Sequence, residues 1–312
     1  MAKAPQTFDP EDAFARKLIA ELTGLYGDAK SKLDRILASG AVTDFQRFRA
    51  GELTKQVDAI ERALDAYAVK YSNKLIPHAY REGAEFCREA LKESGLDVDV
   101  VNMGNRVNAR SVQAIATQMA ADLVAADSSL GRDAKRIIRA TQQKAINERN
   151  IQQAIARGIL EGETRKQVSG RLAGELKAAL GDGVKVAVNG RNFDPDYYAK
   201  LVARTMTRSA ATEGTLNFGR EYDIDLFQVS VHDNPCVEIC AAIQGRVYSL
   251  SGLDPDFPPI SEVGYPPYHP NCRHVLISYV PKNDKERAGL AKLSRSREPI
   301  ADLEDYRARS TS

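Results

Sequence analysis

Apolar residues recur at helical spacing through much of the first 180 positions of the chain. Over residues 53–75 they follow alternating steps of four and three, which puts one apolar stripe on a single helix face. A helix packed on other helices of the same chain is favoured over an oligomeric coiled coil, because the heptad pattern lasts only about three repeats. The stripe consists of Leu53, Val57, Ile60, Leu64, Tyr67, Tyr71 and the pair Lys74/Leu75.

Proline and capping signals divide the rest of this helical region. Pro77 is expected to end the helix of the stripe, since its ring cannot accept the preceding helical turn. Thr164 and Gln167 form a capping-box pattern that opens one more helix. Other helices are predicted over residues 78–91, 105–126 and 132–160. We therefore predict a bundle of long helices as a first domain, residues 1–180.

The hydrophobic period changes after residue 181. Val184, Val186 and Val188 alternate with other side chains, and Asn189-Gly190 supplies the positive-φ turn of a hairpin. A helix is then expected from Pro195 to about residue 222, followed by strands in "LFQVSV" and "HVLISYV". The fold prediction is α+β and predominantly α. It joins the helical bundle to a small α/β module, residues 181–281, and an exposed polar C-terminal arm, residues 282–312.

Composition sets limits on partners and compartment. The 312 residues carry a formal net charge of +2, so no global attraction to nucleic acid or anionic membranes follows. The start "MAKAPQTFDPEDAFARKL" lacks the pattern of a signal peptide, and nowhere do eighteen apolar residues run together. We expect no membrane partner and a cytoplasmic compartment, where clustered cysteines more often serve metal binding or catalysis than disulfides.

Most of the cysteines and histidines lie in two short stretches, "HDNPCVEIC" and "YHPNCRH". Zinc takes four nitrogen or sulfur ligands in a tetrahedron, and short ligand pairs joined by a longer loop can supply them. Three cysteines with one histidine, His269 ahead of His274, are the predicted set, and three thiolates favour a closed structural zinc site. The five candidates for four places are Cys236, Cys240, His269, Cys272 and His274.

Two alternatives to zinc stay open for these cysteines. Cys236 and Cys240 could form a disulfide, or the thiols could be buried and unmodified. The isolated Cys87 is expected to be a small buried hydrophobic residue.

Enzymatic uses of the same stretches can be tested against known ligand patterns. A zinc deaminase is disfavoured, because no H-x-E sequence occurs and the cysteine spacing is one residue too long. A metal-dependent hydrolase of nuclease type is the alternative function, with His232 or His274 activating water and Asp233 or Glu238 on a metal.

Arg273 lies between Cys272 and His274. A permanently charged guanidinium prefers a carboxylate or phosphate partner. We expect an ion pair with Glu213 or Glu221, and nucleic-acid phosphate is the other candidate partner.

Four elements of the second half occur in an order that resembles the phage minor capsid or head-morphogenesis family, the phage Mu F-like proteins. They are the "NGR" hairpin with Gly190, the "ART" helix with Arg204 and Thr205, the "C-x-x-x-C…G-x-V-Y" turn and the terminal "HPNCRH". The commonest family form has Arg-Thr-Glu in the helix, whereas this chain has Met206 at the third position. The resemblance covers residues 181–281 and implies structural roles for Gly190, Arg204, Thr205 and Arg273.

The resemblance also implies a function. It points to a non-enzymatic structural protein of a tailed-phage virion that associates with the portal during head assembly. Its expected location is the capsid interior near the portal, and the host cytoplasm during assembly. Scaffold or major capsid protein and packaged DNA are further candidate partners.

Overall fold

The computed structural model describes residues 9–39, 46–147, 183–233, 237–296 and 298–310. The predicted α+β class with mainly helical content is confirmed. In the described residues the helices are α1 (Ala13–Ser39), α2 (Gln46–Glu93), α3 (Arg106–Asn147), α4 (Pro195–Glu221), α5 (Glu238–Ile243), α6 (Asp284–Arg295) and α7 (Leu303–Ser310). The strands are β1 (Val186–Val188), β2 (Arg191–Phe193), β3 (Leu226–Val229), β4 (Val247–Ser249) and β5 (Leu276–Ser278). None of the described helices has both the length and the apolar character that a membrane span requires.

Pro77 lies inside α2, so the prediction that it ends a helix is wrong. A proline in a helix interior removes one backbone hydrogen bond and costs about 3 kcal/mol. Fully buried residues lie before and after it, namely Ile76, Ala79 and Tyr80. Packing on both sides of the proline therefore outweighs its local cost, and the segment predicted over 78–91 continues the same helix.

The helix α3 also runs through a predicted interruption. The sequence pattern predicts a break between residues 126 and 132, yet Asp127, Ser129 and Leu130 are helical and buried. The prediction of two separate helices here is wrong up to Asn147. Residues 148–160 and the predicted capping box at Thr164 and Gln167 lie outside the described residues.

Contacts divide the chain into two compact units. Unit 1 comprises Met1–Ile19, Tyr71–Met119 and Leu201–Ser312, and unit 2 comprises Ala20–Lys70 and Ala120–Lys200. The domain boundaries predicted at residues 180 and 281 stay predictions.

Unit 2 contains the β1–β2 hairpin, which the sequence predicted. Val186 pairs with Phe193 and Val188 with Arg191 in antiparallel register. The two turn residues have positive φ, 48° at Asn189 and 74° at Gly190, a conformation that Asn-Gly adopts readily. The backbone N–H of Ala187 donates to the Ser129 hydroxyl at 3.0 Å, which fixes the hairpin against α3.

In unit 1, α2 and α4 cross at close range. A Cβ atom at Gly83 would overlap the backbone of Ala211, and one at Gly214 would overlap the backbone carbonyl of Tyr80. Beside this crossing, the Tyr80 hydroxyl donates to Asn108 Oδ1 at 2.7 Å and accepts from Asn217 Nδ2 at 2.8 Å. The crossing therefore combines glycine-mediated backbone approach with a buried polar network.

Unit 1 also contains a three-stranded antiparallel sheet of order β4-β3-β5. The helices α6 and α7 share its core, because Leu290, Ile300 and Tyr306 are buried in one cluster with Leu226 and Val247. The expected exposure of the C-terminal arm, residues 282–312, is therefore wrong for Leu290, Ile300 and Tyr306, which are buried.

Candidate metal centre

Two cysteines and one histidine come together beside the three-stranded sheet. Cys240 lies on α5, whereas His269 and Cys272 lie in the loop before β5. One ligand atom from each lies within 4.8 Å of the other two, and both cysteines are buried while His269 is half-buried. We call Cys240, His269 and Cys272 the Cys/His cluster.

Local backbone geometry places each member of the Cys/His cluster. The helix α5 follows the extended residue Val237 and presents Cys240 in its first turn. In the loop, the backbone N–H of Cys272 donates to the carbonyl of His269 at 3.0 Å, which closes a tight turn. Asn271 adopts a φ of 62° within that turn, a conformation for which asparagine is favoured among non-glycine residues. The turn brings His269 and Cys272 to the same place.

The hydrogen bonds of His269 define which ring nitrogen faces the cysteines. Its Nδ1 atom lies 2.8 Å from the carbonyl oxygen of Pro270, so Nδ1 carries the hydrogen and donates it. In a neutral ring with this hydrogen bond, Nε2 carries the lone pair, and it lies 3.2 Å from the Sγ atom of Cys240. This is the form in which histidine binds metal ions.

His274 occupies a different position, next to the cluster rather than in it. Its Nε2 atom donates to Gln244 Oε1 at 3.1 Å, because the amide nitrogen of Gln244 donates to the carbonyl of Ile300 at 2.6 Å. Its Nδ1 atom lies 3.5 Å from Cys272 Sγ. Burial, with His232 and Arg273 nearby, lowers the pKa of His274 to about 3, so the ring is neutral.

Of the five predicted ligands, the structure brings three together. Cys236 lies outside the described residues. His274 lies beside the cluster and contacts Cys272. The predicted four-ligand zinc site therefore stays a prediction as a whole, with His269 as the histidine that faces Cys240.

The residues of the hydrolase alternative take other partners. His232 Nε2 lies 3.1 Å from the Ser230 hydroxyl, and its ring meets that of His274 edge-on at 5.0 Å. Burial, followed by the charge of Arg273, lowers the pKa of His232. Among the described residues, the Cys/His cluster contains neither His232, Asp233 nor Glu238.

Arg273 donates to the backbone carbonyl of Asp233 at 2.9 Å. This bond connects the loop before β5 to the segment that precedes α5. The expected ion pair with Glu213 or Glu221 stays a prediction, as does a structural role for Thr205.

Glu11, Arg204 and Arg208 form a charge cluster that was not predicted from the sequence. Arg204 Nε lies 2.8 Å and Arg208 Nη2 lies 2.7 Å from Glu11 Oε1. Arg208 is only 4% exposed, and its Nε and Nη1 atoms have no hydrogen-bond partner in the described part of the chain. Burial lowers the pKa of Arg208, and Cys272 lies close enough to act on that pKa in the opposite direction. The spacing of the two arginines, one helical turn apart on α4, was the available signal.

Residues 183–309 match the family model of phage minor capsid protein 2. The match starts before the β1–β2 hairpin and continues into α7, so it includes the Cys/His cluster and both C-terminal helices. The predicted resemblance to a phage minor capsid family is thereby confirmed for this part of the chain, and it supports a structural role in a phage virion together with other head components. No curated protein and no solved structure matches the chain.

Proposed function

We propose that this protein is a structural minor capsid protein of a tailed phage that associates with the portal during head assembly. One observation carries the proposal. The match to phage minor capsid protein 2 covers residues 183–309, which include the three-stranded sheet, the Cys/His cluster and the helices α6 and α7.

The packing of the matched region suits a binding module with a fixed shape. Side chains from β3, β4, α6 and α7 share one buried core. In addition, Gln228 Nε2 on β3 donates to the Tyr306 hydroxyl on α7 at 2.7 Å. Because the last helix is bonded to the central strand, the module can present a rigid surface to a large partner.

The chemistry of the Cys/His cluster is consistent with a structural rather than a catalytic role. A catalytic zinc site keeps one coordination position open for water, whereas thiolate-rich sites are typically closed and structural. Cys240 and Cys272 are both buried, and the described cluster includes no carboxylate. These features support assembly over the nuclease-type alternative.

Within this proposal, the protein lies in the capsid interior near the portal after assembly in the host cytoplasm. Scaffold or major capsid protein and packaged DNA are further partners. A net charge of +2 provides no strong global attraction to DNA, so any contact with packaged DNA depends on local surfaces. The portal is the primary partner.

Co-purification with the portal is the direct test. A tagged full-length chain is expressed with the head proteins of its phage, and portal protein is quantified in the purified fraction. Val247→Asp puts a charge into the core of the matched region, where Val247 is fully buried, and should abolish portal binding. Val100→Asp is the matched control, since Val100 lies outside the matched region and is 76% exposed.

The expected result is portal binding by the wild-type chain and by Val100→Asp, with loss in Val247→Asp. Absence of every head component from the wild-type fraction would overturn the proposal. Metal-dependent cleavage of DNA by the purified protein, lost on substitution of a cluster residue, would instead favour the hydrolase.

A further inference from the structure

We propose that Cys240, His269 and Cys272 bind one zinc ion in a structural site, independently of the proposed function. The proposal rests on the positions of these three side chains.

The spacing of the three ligand atoms fits a tetrahedral ion. Zinc bonds of about 2.0–2.3 Å place neighbouring ligand atoms roughly 3.5 Å apart. The three atoms of the Cys/His cluster lie within 4.8 Å of one another, and Cys240 Sγ and His269 Nε2 are 3.2 Å apart. Small side-chain rotations are enough to close the remaining difference, because all three side chains already face one point.

The hydrogen bond between His269 and Pro270 prepares the histidine for metal binding. Metal-bound histidines usually donate their second ring nitrogen to a carbonyl or carboxylate, which fixes the tautomer and the ring orientation. His269 Nδ1 makes this bond to the Pro270 carbonyl at 2.8 Å. The lone pair of Nε2 therefore faces the thiols without any rearrangement of the ring.

The ion would connect two parts of the matched region. Cys240 and His269 are 29 positions apart, on α5 and in the loop before β5. At the C-terminal end of α5, Gln244 bonds both His274 and the carbonyl of Ile300. Zinc would thus fix the loop to α5, and α5 is in turn bonded to the segment that leads into α7.

Metal content of the purified full-length chain tests the inference. We expect one zinc ion per chain, and loss of that zinc in Cys240→Ser, Cys272→Ser and His269→Gln. Cys87→Ala is the matched control and should keep its zinc, because Cys87 is a buried thiol outside the cluster, where burial raises its pKa to about 12.

Cobalt(II) substitution of the wild-type chain gives a second measurement that does not depend on variants folding. Tetrahedral coordination produces intense visible bands, and the thiolate-to-cobalt absorption grows with the number of cysteine ligands. Thiolate-to-cobalt absorption from Cys240 and Cys272 is expected in the wild-type chain.

Three outcomes would overturn the zinc site. They are a wild-type chain without metal, a disulfide between Cys236 and Cys240 in mass spectrometry of the alkylated protein, and octahedral cobalt without thiolate absorption. Zinc that is retained in Cys240→Ser would also contradict it.

Discussion

The guanidinium of Arg208 and the carboxylate of Glu11 form a buried ion pair, with Nη2 and Oε1 2.7 Å apart. Arg204, one turn earlier on α4, binds the same carboxylate. One carboxylate therefore pairs with two arginines, and it connects the segment before α1 to α4. Removing either charge from such a pair leaves the other uncompensated in the interior.

Glu11→Gln should lower the free energy of unfolding by about 3–5 kcal/mol, the usual cost of breaking a buried ion pair from one side. Glu298→Gln is the control, since its ion pair with Arg309 is exposed. That control should change stability by less than about 1 kcal/mol. Urea unfolding measures both, and equal effects of the two substitutions would contradict the role of Glu11.

Gly83→Ala and Gly214→Ala should each destabilise the protein by at least about 2 kcal/mol, because the added methyl group overlaps backbone at the crossing of α2 and α4. Gly24→Ala has open space around the new Cβ atom. It should stabilise α1 by about 0.5–1 kcal/mol, since alanine favours a helix over glycine. Thermal unfolding distinguishes destabilisation from stabilisation. A Gly214→Ala variant as stable as the wild type would show that α2 and α4 are not tightly packed at the crossing.

Asp127 should make stability depend on pH. Burial raises its pKa to about 8, with Tyr26 and Asp65 as close neighbours. The carboxyl is therefore neutral in the folded chain between about pH 4 and pH 8, where the unfolded chain has released the proton. The stabilisation from the neutral Asp127 carboxyl is complete below about pH 4. Above that pH it falls by up to about 1.4 kcal/mol per pH unit, until the pH passes the pKa of Asp127 in the folded chain.

Asp127→Asn isolates this effect from other titrating groups. The difference in unfolding free energy between variant and wild type should shift in favour of the variant as the pH rises. Denaturant unfolding at a series of pH values measures the difference, and a constant difference would contradict the buried carboxyl as its source.

Ile300→Ala tests whether the C-terminal segment belongs to the core. Ile300 is fully buried beside the sheet, so its truncation should cost about 2–4 kcal/mol. Ile239→Ala is the matched control, because Ile239 is 52% exposed; it should cost less than about 1 kcal/mol. If both substitutions changed the free energy of unfolding by similarly small amounts, Ile300 would not belong to the core and the prediction of an exposed arm would hold.

Features decided by neighbouring residues were predictable from the sequence. Asn189 and Gly190 determine the hairpin turn by themselves, since both must adopt positive φ and both do so readily. The start of α4 at Pro195 is a similar case, because proline at the first helical position sacrifices no hydrogen bond.

Features decided by distant residues were not predictable from the sequence. Pro77 has the same local chemistry whether or not its helix continues, and burial of Ile76 and Tyr80 determines the outcome. In the site, the rarity of cysteine and histidine revealed the two ligand stretches. Only the fold shows that Pro270 orients His269 toward the cysteines while Gln244 holds His274 aside. Glu11 was invisible because common charged residues give no signal across 193 positions.

The bond between Glu11 and Arg204 cannot form until late in biosynthesis, because Glu11 is made long before Arg204. A ribosome adds about 5–20 residues per second, so the 193 positions between them correspond to roughly 10–40 s of synthesis. In the later part of that interval α1, α2 and α3 have been synthesised without α4, and the apolar surfaces around Gly83 and Tyr80 lack their partner. Nascent chains of this protein should therefore be substrates of ribosome-associated chaperones until α4 has been made.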